Sequence, residues 1–311
     1  MPSLRDIRKR IASIKGTGKI TRAMQMVSAA KLRRAQNNVL MARPYSNSLS
    51  SLIVSLSAGV DDKEGYPLLS VRPIQRVEVL ALTSDKGLCG AFNTNVLKDT
   101  QRLLADFKRQ GVTVNLTTIG KKAKEFFHRM GVPTRKSVVD FYKTFTYEQI
   151  QGIANEITAS YTADADRSED RIDEFIIVYN EFKSTLVQTV RRMRLLPIEQ
   201  SPAGQSQVKQ SHAPEAEKSA DTEQVKFLFE PSEVEIINGL LPKYVENRIY
   251  LAILESQVSE EAARMVAMEN ATQNVKEMLE QLTLQYNKAR QASITNELLD
   301  IVGGAAAITS S

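Results

Sequence analysis

Residues 262–289 read AARMVAMENATQNVKEMLEQLTLQYNKA, and this stretch decides the fold. Its apolar and small side chains recur at alternating steps of three and four residues, at Met265, Met268, Thr272, Val275, Leu279, Leu282, Tyr286 and Ala289. Upstream, the same spacing is continued by Leu251, Leu254, Val258 and Ala262. A heptad seam of this length is typical of a coiled coil rather than of a single core helix.

The surrounding sequence predicts one very long helix over 243–308, because no Gly or Pro lies between Pro242 and Gly303. Such a helix would be roughly 90 Å long, and it needs a partner because propensity alone does not stabilise it. The small seam residues favour an equally small-faced partner helix. The N-terminal segment supplies one, with Ala23, Ser28, Ala29, Ala30 and Ala35.

A second long helix is predicted over 1–58, where Leu4, Ile7, Ile11 and Ile14 form a stripe at helical spacing. Ile20, Met24 and Val27 are expected to continue this stripe with a shifted phase, and Pro44 to bend the helix without ending it. The two terminal helices are therefore expected to pair as an antiparallel coiled coil.

Residues 74–232 are expected to fold as a central Rossmann-like α/β domain, because strand-like and helix-like segments alternate there. Strands are predicted at 76–83, 112–119 and 173–182, with 186–193 as the hairpin partner of the last, and helices at 93–110, 121–129 and 147–161. Residues 199–224 are polar and rich in Ser, Gln, Lys and Glu, which predicts a mobile surface loop, and order is expected to return at Phe227–Pro231.

The charges are unevenly distributed. Residues 1–45 contain eleven Lys and Arg against the single acid Asp6, so this segment carries +10 in a chain whose net charge is +5. It could be a solvated helix face, or it could bind nucleic acid, an anionic membrane surface or an acidic protein. Nucleic-acid binding is the weaker reading, because no aromatic interleaving or known binding motif accompanies the charge.

No catalytic site is predicted. A lone cysteine, Cys89, excludes an intrachain disulfide, and with only His128 and His212 beside it a His/Cys metal site is nearly excluded. A Cys89–His128 nucleophile and base is far less favoured than a buried structural cysteine. The acidic loop of Asp164, Asp166, Glu169 and Asp170 is predicted to be solvated rather than cation-binding.

The chain also contains no apolar run long enough to span a membrane, and it does not begin like a secretory signal.

The segment Ser84-Asp85-Lys86-Gly87-Leu88-Cys89-Gly90 follows a predicted strand and so invites a phosphate-loop interpretation. It lacks the spacing of both the P-loop and the dinucleotide loop, and Asp85 would repel phosphate. We expect a tight strand-to-helix turn there, and no cofactor.

Several motifs resemble the gamma subunit of F-type ATP synthases. They are Asp6–Ile14, Lys19–Val27, Thr83–Gly90, Ala262–Met268 with Ala271-Thr272, Tyr286–Thr295 and Ile301–Ala305, in this order along the chain. The resemblance implies a rotor subunit without a catalytic site, whose terminal helices turn inside the alpha–beta hexamer. It implies an α/β foot that contacts the epsilon subunit and the membrane c-ring, leaves the delta subunit open as a further partner, and gives no role for nucleic acid or a small-molecule substrate.

The resemblance also assigns residues. Arg22 and Met24 match a segment that faces the acidic lever region of the beta subunits. Positions that contact the hexamer or support the shaft are matched by Arg264, Arg290, Gln291, Thr295 and Glu297. The foot-domain turn contains Asp85, Lys86, Gly87, Cys89 and Gly90.

The photosynthetic regulatory insert is not evident, and the lack of a presequence favours a bacterial subunit, peripheral on the cytoplasmic face of the plasma membrane. A nucleic-acid-binding coiled-coil scaffold is the main alternative.

Overall fold

The computed structural model of the chain describes residues 3–57, 65–141, 146–163, 171–198, 230 and 232–309. Its helices are α1 (Leu4–Ser57), α2 (Phe92–Arg109), α3 (Lys121–Arg129), α4 (Tyr147–Thr162) and α5 (Glu233–Thr309). Its strands are β1 (Arg76–Leu82), β2 (Thr113–Ile119), β3 (Lys136–Val138), β4 (Glu174–Phe182) and β5 (Gln188–Leu196). The residues predicted as an acidic loop (164–170), as a mobile loop (199–224) and as ordered chain at 227–229 and 231 lie outside the described part.

The five strands form one mixed sheet in the order β3-β2-β1-β4-β5. β1 pairs in parallel with β2 and β4, β2 pairs in parallel with β3, and β5 is antiparallel to β4. This confirms the predicted α/β class and the hairpin. β3 was not predicted, because three residues are too few to show a strand pattern in sequence.

Helices cover both faces of this sheet. Val96 and Leu103 of α2 pack with Phe127 of α3 on one face. On the other face, the end of α1, α4 and the beginning of α5 form a larger core that includes Ile53, Ile153 and Ile249. A sheet buried on both faces explains why β1 and β4 read as nearly continuous apolar runs.

The chain divides into two compact units. The sheet unit contains Arg34–Gly87 and Ala91–Glu260, which form the sheet with its covering helices. The helical unit contains Met1–Arg33, Leu88–Gly90 and Glu261–Ser311, and in it the beginning of α1 pairs with the end of α5.

The buried stripe of α1 differs from the predicted one. Steps of three and four residues connect its buried and half-buried positions: Ile7, Ile11, Ile14, Gly18, Thr21, Gln25, Ser28, Leu32, Ala35 and Val39. Ile20 and Val27, expected on the stripe, are 62% and 56% exposed, while Met24 is half-buried beside it. The expectation followed hydrophobicity, whereas the seam of a close helix pair selects small side chains irrespective of polarity.

Both prolines within the long helices are accommodated. α1 continues through Pro44, and α5 begins at Glu233, so that Pro242 lies inside it. The predicted beginning after Pro242 was therefore ten residues too late. Proline removes one backbone donor but does not prevent helix on both sides when apolar packing holds the flanking turns, as Leu241 and Val245 do here.

Candidate functional site

Three contacts fix how α1 and α5 pair within the helical unit. Arg8 donates a hydrogen bond to the Tyr286 hydroxyl (2.7 Å), Thr272 and Thr21 are joined through their Oγ1 atoms (2.8 Å), and Gly18 faces Val275. The partner's number falls as the α1 number rises, so the helices are antiparallel. The α5 seam consists of the predicted positions from Met265 to Ala289, which are all buried or half-buried.

A small charged cluster lies on the same helix pair. Glu261 Oε1 forms an ion pair with Arg264 Nη1 at 2.9 Å and lies 3.9 Å from Lys31 Nζ of α1. Arg264 and Glu261 are 7% and 8% exposed, so these charges are held away from water. A buried ion pair of this kind holds its members in place, because separating them would leave an unpaired charge in the interior.

The turn after β1 is held by hydrogen bonds within the sheet unit. Asp85 Oδ1 accepts from the backbone N–H groups of Lys121 (2.9 Å) and Asp140 (3.0 Å). Asn93 Oδ1 accepts from the backbone N–H of Ser84 at 2.9 Å. These three amides bind the chain's own side-chain oxygens, whereas a phosphate loop would turn its amides toward a ligand. The geometry is that of a braced strand-to-helix turn.

The next three residues belong to the helical unit. Cys89 is buried, Gly90 has φ +56° and lies against Ala267 of α5, and Leu88 has φ +62° with an exposed side chain. The left-handed conformation at Leu88 is unusual for a branched side chain, and nothing in the sequence pattern predicted it.

The chain matches the family model described as ATP synthase over residues 3–308. It is 42% identical to the ATP synthase gamma chain of Anaeromyxobacter dehalogenans over 310 residues, covering 99% of this chain and all of the relative. It is also 42% identical to that of Pelotomaculum thermopropionicum, over 311 residues and with the same coverage. The chain belongs to the ATP synthase gamma chain family.

A solved structure agrees with this assignment. The chain superposes on one from the Tetrahymena thermophila mitochondrial ATP synthase, in a structure described as central stalk and c-ring, with a TM-score of 0.57. The two are 25% identical, and the match covers 81% of this chain and 99% of the other. The gamma chain fold, with paired terminal helices and a central mixed sheet, is therefore the one expected from the sequence motifs.

The structure distributes the residues assigned by family resemblance over separate parts of the helix pair. Arg22 is exposed on α1, close in sequence to the Thr21–Thr272 contact, and Met24 is half-buried. Arg264 is buried, whereas Arg290, Gln291, Thr295 and Glu297 are all exposed. About 40 Å of helix separates Arg264 from Arg290, at 1.5 Å per residue. These residues therefore form two groups along α5 rather than one site.

The positive charge of α1 is mostly unpaired. Lys31 faces Glu261, and Arg43 faces Glu255 at 3.9 Å. Nine further cations are exposed and form no ion pair with the part of the chain that the structure describes: Arg5, Arg8, Lys9, Arg10, Lys15, Lys19, Arg22, Arg33 and Arg34. This surface suits an acidic partner.

The far end of α5 extends beyond the first described residue of α1. The pairing of Gly18 with Val275 places residues near 290 opposite the beginning of α1, which leaves 295–309 without α1 alongside. Four large apolar side chains in this segment are 57–68% exposed: Leu298, Leu299, Ile301 and Val302. Large exposed apolar side chains grouped within one helical segment favour an interaction surface.

Among the described residues, no helix is long and apolar enough to cross a bilayer, and no group of His, Cys, Asp and Glu side chains could hold a metal ion.

Proposed function

We propose that the paired terminal helices of this central-stalk rotor subunit transmit rotation of a membrane c-ring to the catalytic sites of an alpha–beta hexamer. The observation that carries the proposal is the end of α5, where a segment with four exposed large apolar side chains extends past the described beginning of α1. The subunit is non-catalytic. Its role is mechanical, and the chemistry belongs to the hexamer.

The apolar end of α5 suits a dry, ring-shaped bearing formed by the hexamer. Apolar side chains contribute no directional hydrogen bonds, so a surface built from Leu298, Leu299, Ile301 and Val302 can turn against an apolar collar with little change in energy. Arg290, Gln291, Thr295 and Glu297, just before this segment, are proposed to form hydrogen bonds with the hexamer that break and re-form on rotation.

The cationic surface of α1 is proposed to face acidic lever segments of the beta subunits, with Arg22 and Met24 at the contact. Arg264 is proposed to support the shaft rather than to contact the hexamer, because its guanidinium is buried against Glu261. The part of the foot-domain turn that lies in the sheet unit, Asp85 to Gly87, is proposed to hold a fixed shape through the hydrogen bonds that Asp85 accepts, whereas Cys89 and Gly90 belong to the helical unit.

The sheet unit is proposed as the foot, where the epsilon subunit and the c-ring bind, and the delta subunit stays a candidate partner elsewhere in the complex. The bacterial relatives support a peripheral position on the cytoplasmic face of a bacterial plasma membrane. Protons are proposed as the coupling ion.

Purification through a tag on this chain tests the proposal. We expect alpha, beta and epsilon subunits and the c-ring to co-purify, and the complex to pump protons when it hydrolyses ATP.

Met24→Lys adds a cation to the proposed contact, which should strengthen attraction to the acidic lever and reduce the number of protons pumped per ATP hydrolysed. Met41→Lys is the matched control, because Met41 is 80% exposed on the same helix but in the sheet unit. Recovery of nucleic acid with a steep salt dependence, and no hexamer, would support the scaffold alternative instead.

A further inference from the structure

The seam between α1 and α5 changes character at its middle. From Gly18 to Ser28 the α1 seam positions are Gly18, Thr21, Gln25 and Ser28, none of which has a large apolar side chain. On either side the seam returns to Ile14 and Leu32. The hydrophobic effect scales with buried apolar area, so in this segment apolar burial holds the helices together less than elsewhere.

One side-chain hydrogen bond crosses the seam here. Thr272 Oγ1 lies 2.8 Å from Thr21 Oγ1 and also 2.8 Å from the backbone oxygen of Met268. Thr21 Oγ1 lies 3.2 Å from the backbone oxygen of Gly18. Thr21 is 9% exposed, so bulk water has little access to its hydroxyl.

Two arrangements of the hydroxyl protons form the bond between the helices. In the first, Thr21 donates to the Gly18 oxygen and Thr272 donates to Thr21. In the second, Thr272 donates to the Met268 oxygen and Thr21 donates to Thr272. The bond between the helices is present in both arrangements, and in each of them one backbone oxygen also accepts a hydrogen bond. The contact is therefore kept when both hydroxyls rotate together.

The adjacent layer of the seam makes the position of this pair specific. A Cβ atom added at Gly18 would lie 2.8 Å from Val275 Cγ1, so Val275 occupies the space that the glycine leaves. Displacing the helices breaks the Thr21–Thr272 bond and leaves each hydroxyl with only the backbone oxygen of its own helix, so this polar pair favours one alignment of the seam.

We propose that Thr21 and Thr272, with Gly18 and Val275 beside them, form a lock that prevents α1 and α5 from sliding or twisting past each other under torque. The functional part of this inference rests on the proposed rotor function. Thr21 and Thr272 are then positioning residues, because they act through the alignment of the shaft and contact no nucleotide. Without the lock, relative motion of the two helices absorbs part of each rotation.

The chain provides matched controls for an experiment. Thr17 and Thr283 lie on the same two helices, are exposed, and hydrogen-bond only to the backbone of their own helix, at Ser13 and Leu279. T17V/T283V therefore removes two hydroxyls without affecting the seam. T21V/T272V removes the cross-helix bond at nearly constant volume, and T21S/T272S keeps both hydroxyls.

Each variant is tested in the tagged, assembled complex by backbone hydrogen exchange over 18–28 and 268–279 and by protons pumped per ATP hydrolysed. For T21V/T272V we expect exchange about 2–10-fold faster, which corresponds to the loss of one hydrogen bond. We also expect a lower pumping ratio, with T21S/T272S near wild type and T17V/T283V unchanged.

Equal exchange and equal pumping in T21V/T272V and T17V/T283V would overturn the lock. If T21V/T272V does not assemble, exchange in the isolated full-length chains decides by the same comparison. A wild-type complex that assembles but pumps no protons would count against the rotor function, while the exchange comparison would still decide whether the lock exists.

Discussion

Gly18 of α1 and Val275 of α5 are in such close contact that a methyl group at position 18 would lie 2.8 Å from Val275 Cγ1. Gly16, two residues earlier in the sequence, has no atom within 4 Å of the position that a Cβ would take. The two glycines share a helix and a similar cost in helix propensity, so they separate the effect of packing from that of backbone entropy.

Gly16→Ala is expected to stabilise the chain by about 0.5–1 kcal/mol, because alanine is the better helix former and meets no neighbour. Gly18→Ala gains the same propensity but forces the stiff Val275 side chain to move, and overpacking of this kind costs about 1–3 kcal/mol. The midpoint of thermal unfolding of the full chain should therefore be higher for Gly16→Ala than for wild type, and equal to or lower than wild type for Gly18→Ala. A Gly18→Ala chain as stable as the Gly16→Ala chain would show that the helices separate without cost.

Arg264→Ala is expected to destabilise the chain by about 2–4 kcal/mol, because it leaves the buried carboxylate of Glu261 with only the more distant Lys31. Arg290→Ala should change stability by less than about 0.5 kcal/mol, since Arg290 is exposed and forms no ion pair within the described residues. Under the rotor proposal, Arg290→Ala affects coupling instead. Unfolding of the isolated chain and ATP-driven pumping by the complex measure the two effects, and similar stability losses in both variants would contradict this division of roles.

Asp85→Ala is expected to cost about 1–2 kcal/mol, because it removes the acceptor of two backbone N–H groups, that of Lys121 at the beginning of α3 and that of Asp140 after β3. Asp85→Asn keeps an Oδ1 acceptor at the same position and should lose less. Hydrogen exchange at Lys121 and Asp140 provides the local readout. If both amides exchange as slowly in the alanine variant as in wild type, Asp85 does not brace the turn.

Glu78 is expected to give folding a measurable pH dependence. Burial in the sheet raises the pKa of its carboxyl above the ordinary value of 4.5, against the opposing effects of the Thr117 hydroxyl, which donates to Oε1 at 2.6 Å, and of Arg135. The folded chain therefore holds this proton more tightly than the unfolded chain does. The stability that Glu78 contributes is present below its unfolded pKa and is lost as pH rises through its folded pKa.

Glu78→Gln removes this titration. Stability of the variant relative to wild type should rise between the unfolded and folded pKa values of Glu78 and level off above the latter, as measured by denaturant unfolding at a series of pH values. Taking the difference cancels the other carboxyls, including Glu174 and Glu255, whose pKa values are also raised by burial. A difference independent of pH would show that the Glu78 pKa is not shifted by folding.

Sequence periodicity predicted α5 well because its seam residues recur at one regular spacing of three and four residues. The α1 seam was predicted at Ile7, Ile11 and Ile14, where it is apolar, and at the small residues Ser28 and Ala35. Gly18, Thr21 and Gln25 were missed because they have no large apolar side chain, although their steps of three and four residues match the phase set by Ile14. A search for heptad spacing that ignored polarity could have found them.

The assigned site residues show the same division. Periodicity and motif placed Arg264 and Arg290 on one helix, but their sequence context is alike, and only packing buries one of them. The Glu261–Arg264 pair lies at helical spacing and was visible in principle. Its link to Lys31 required the pairing of two segments more than 200 residues apart in sequence.

The sequence by itself determined the two long helices, the α/β class of the segment between them, the cationic surface of α1 and the gamma chain family, because each depends on local pattern or on motif order. Tertiary structure decided which face of α1 is the seam, which of the assigned residues are buried, and how Thr21 meets Thr272. The physical reason is that a seam is a property of two surfaces. The sequence of one helix does not predict how closely the other approaches, and that distance determines whether a small polar side chain faces water or another helix.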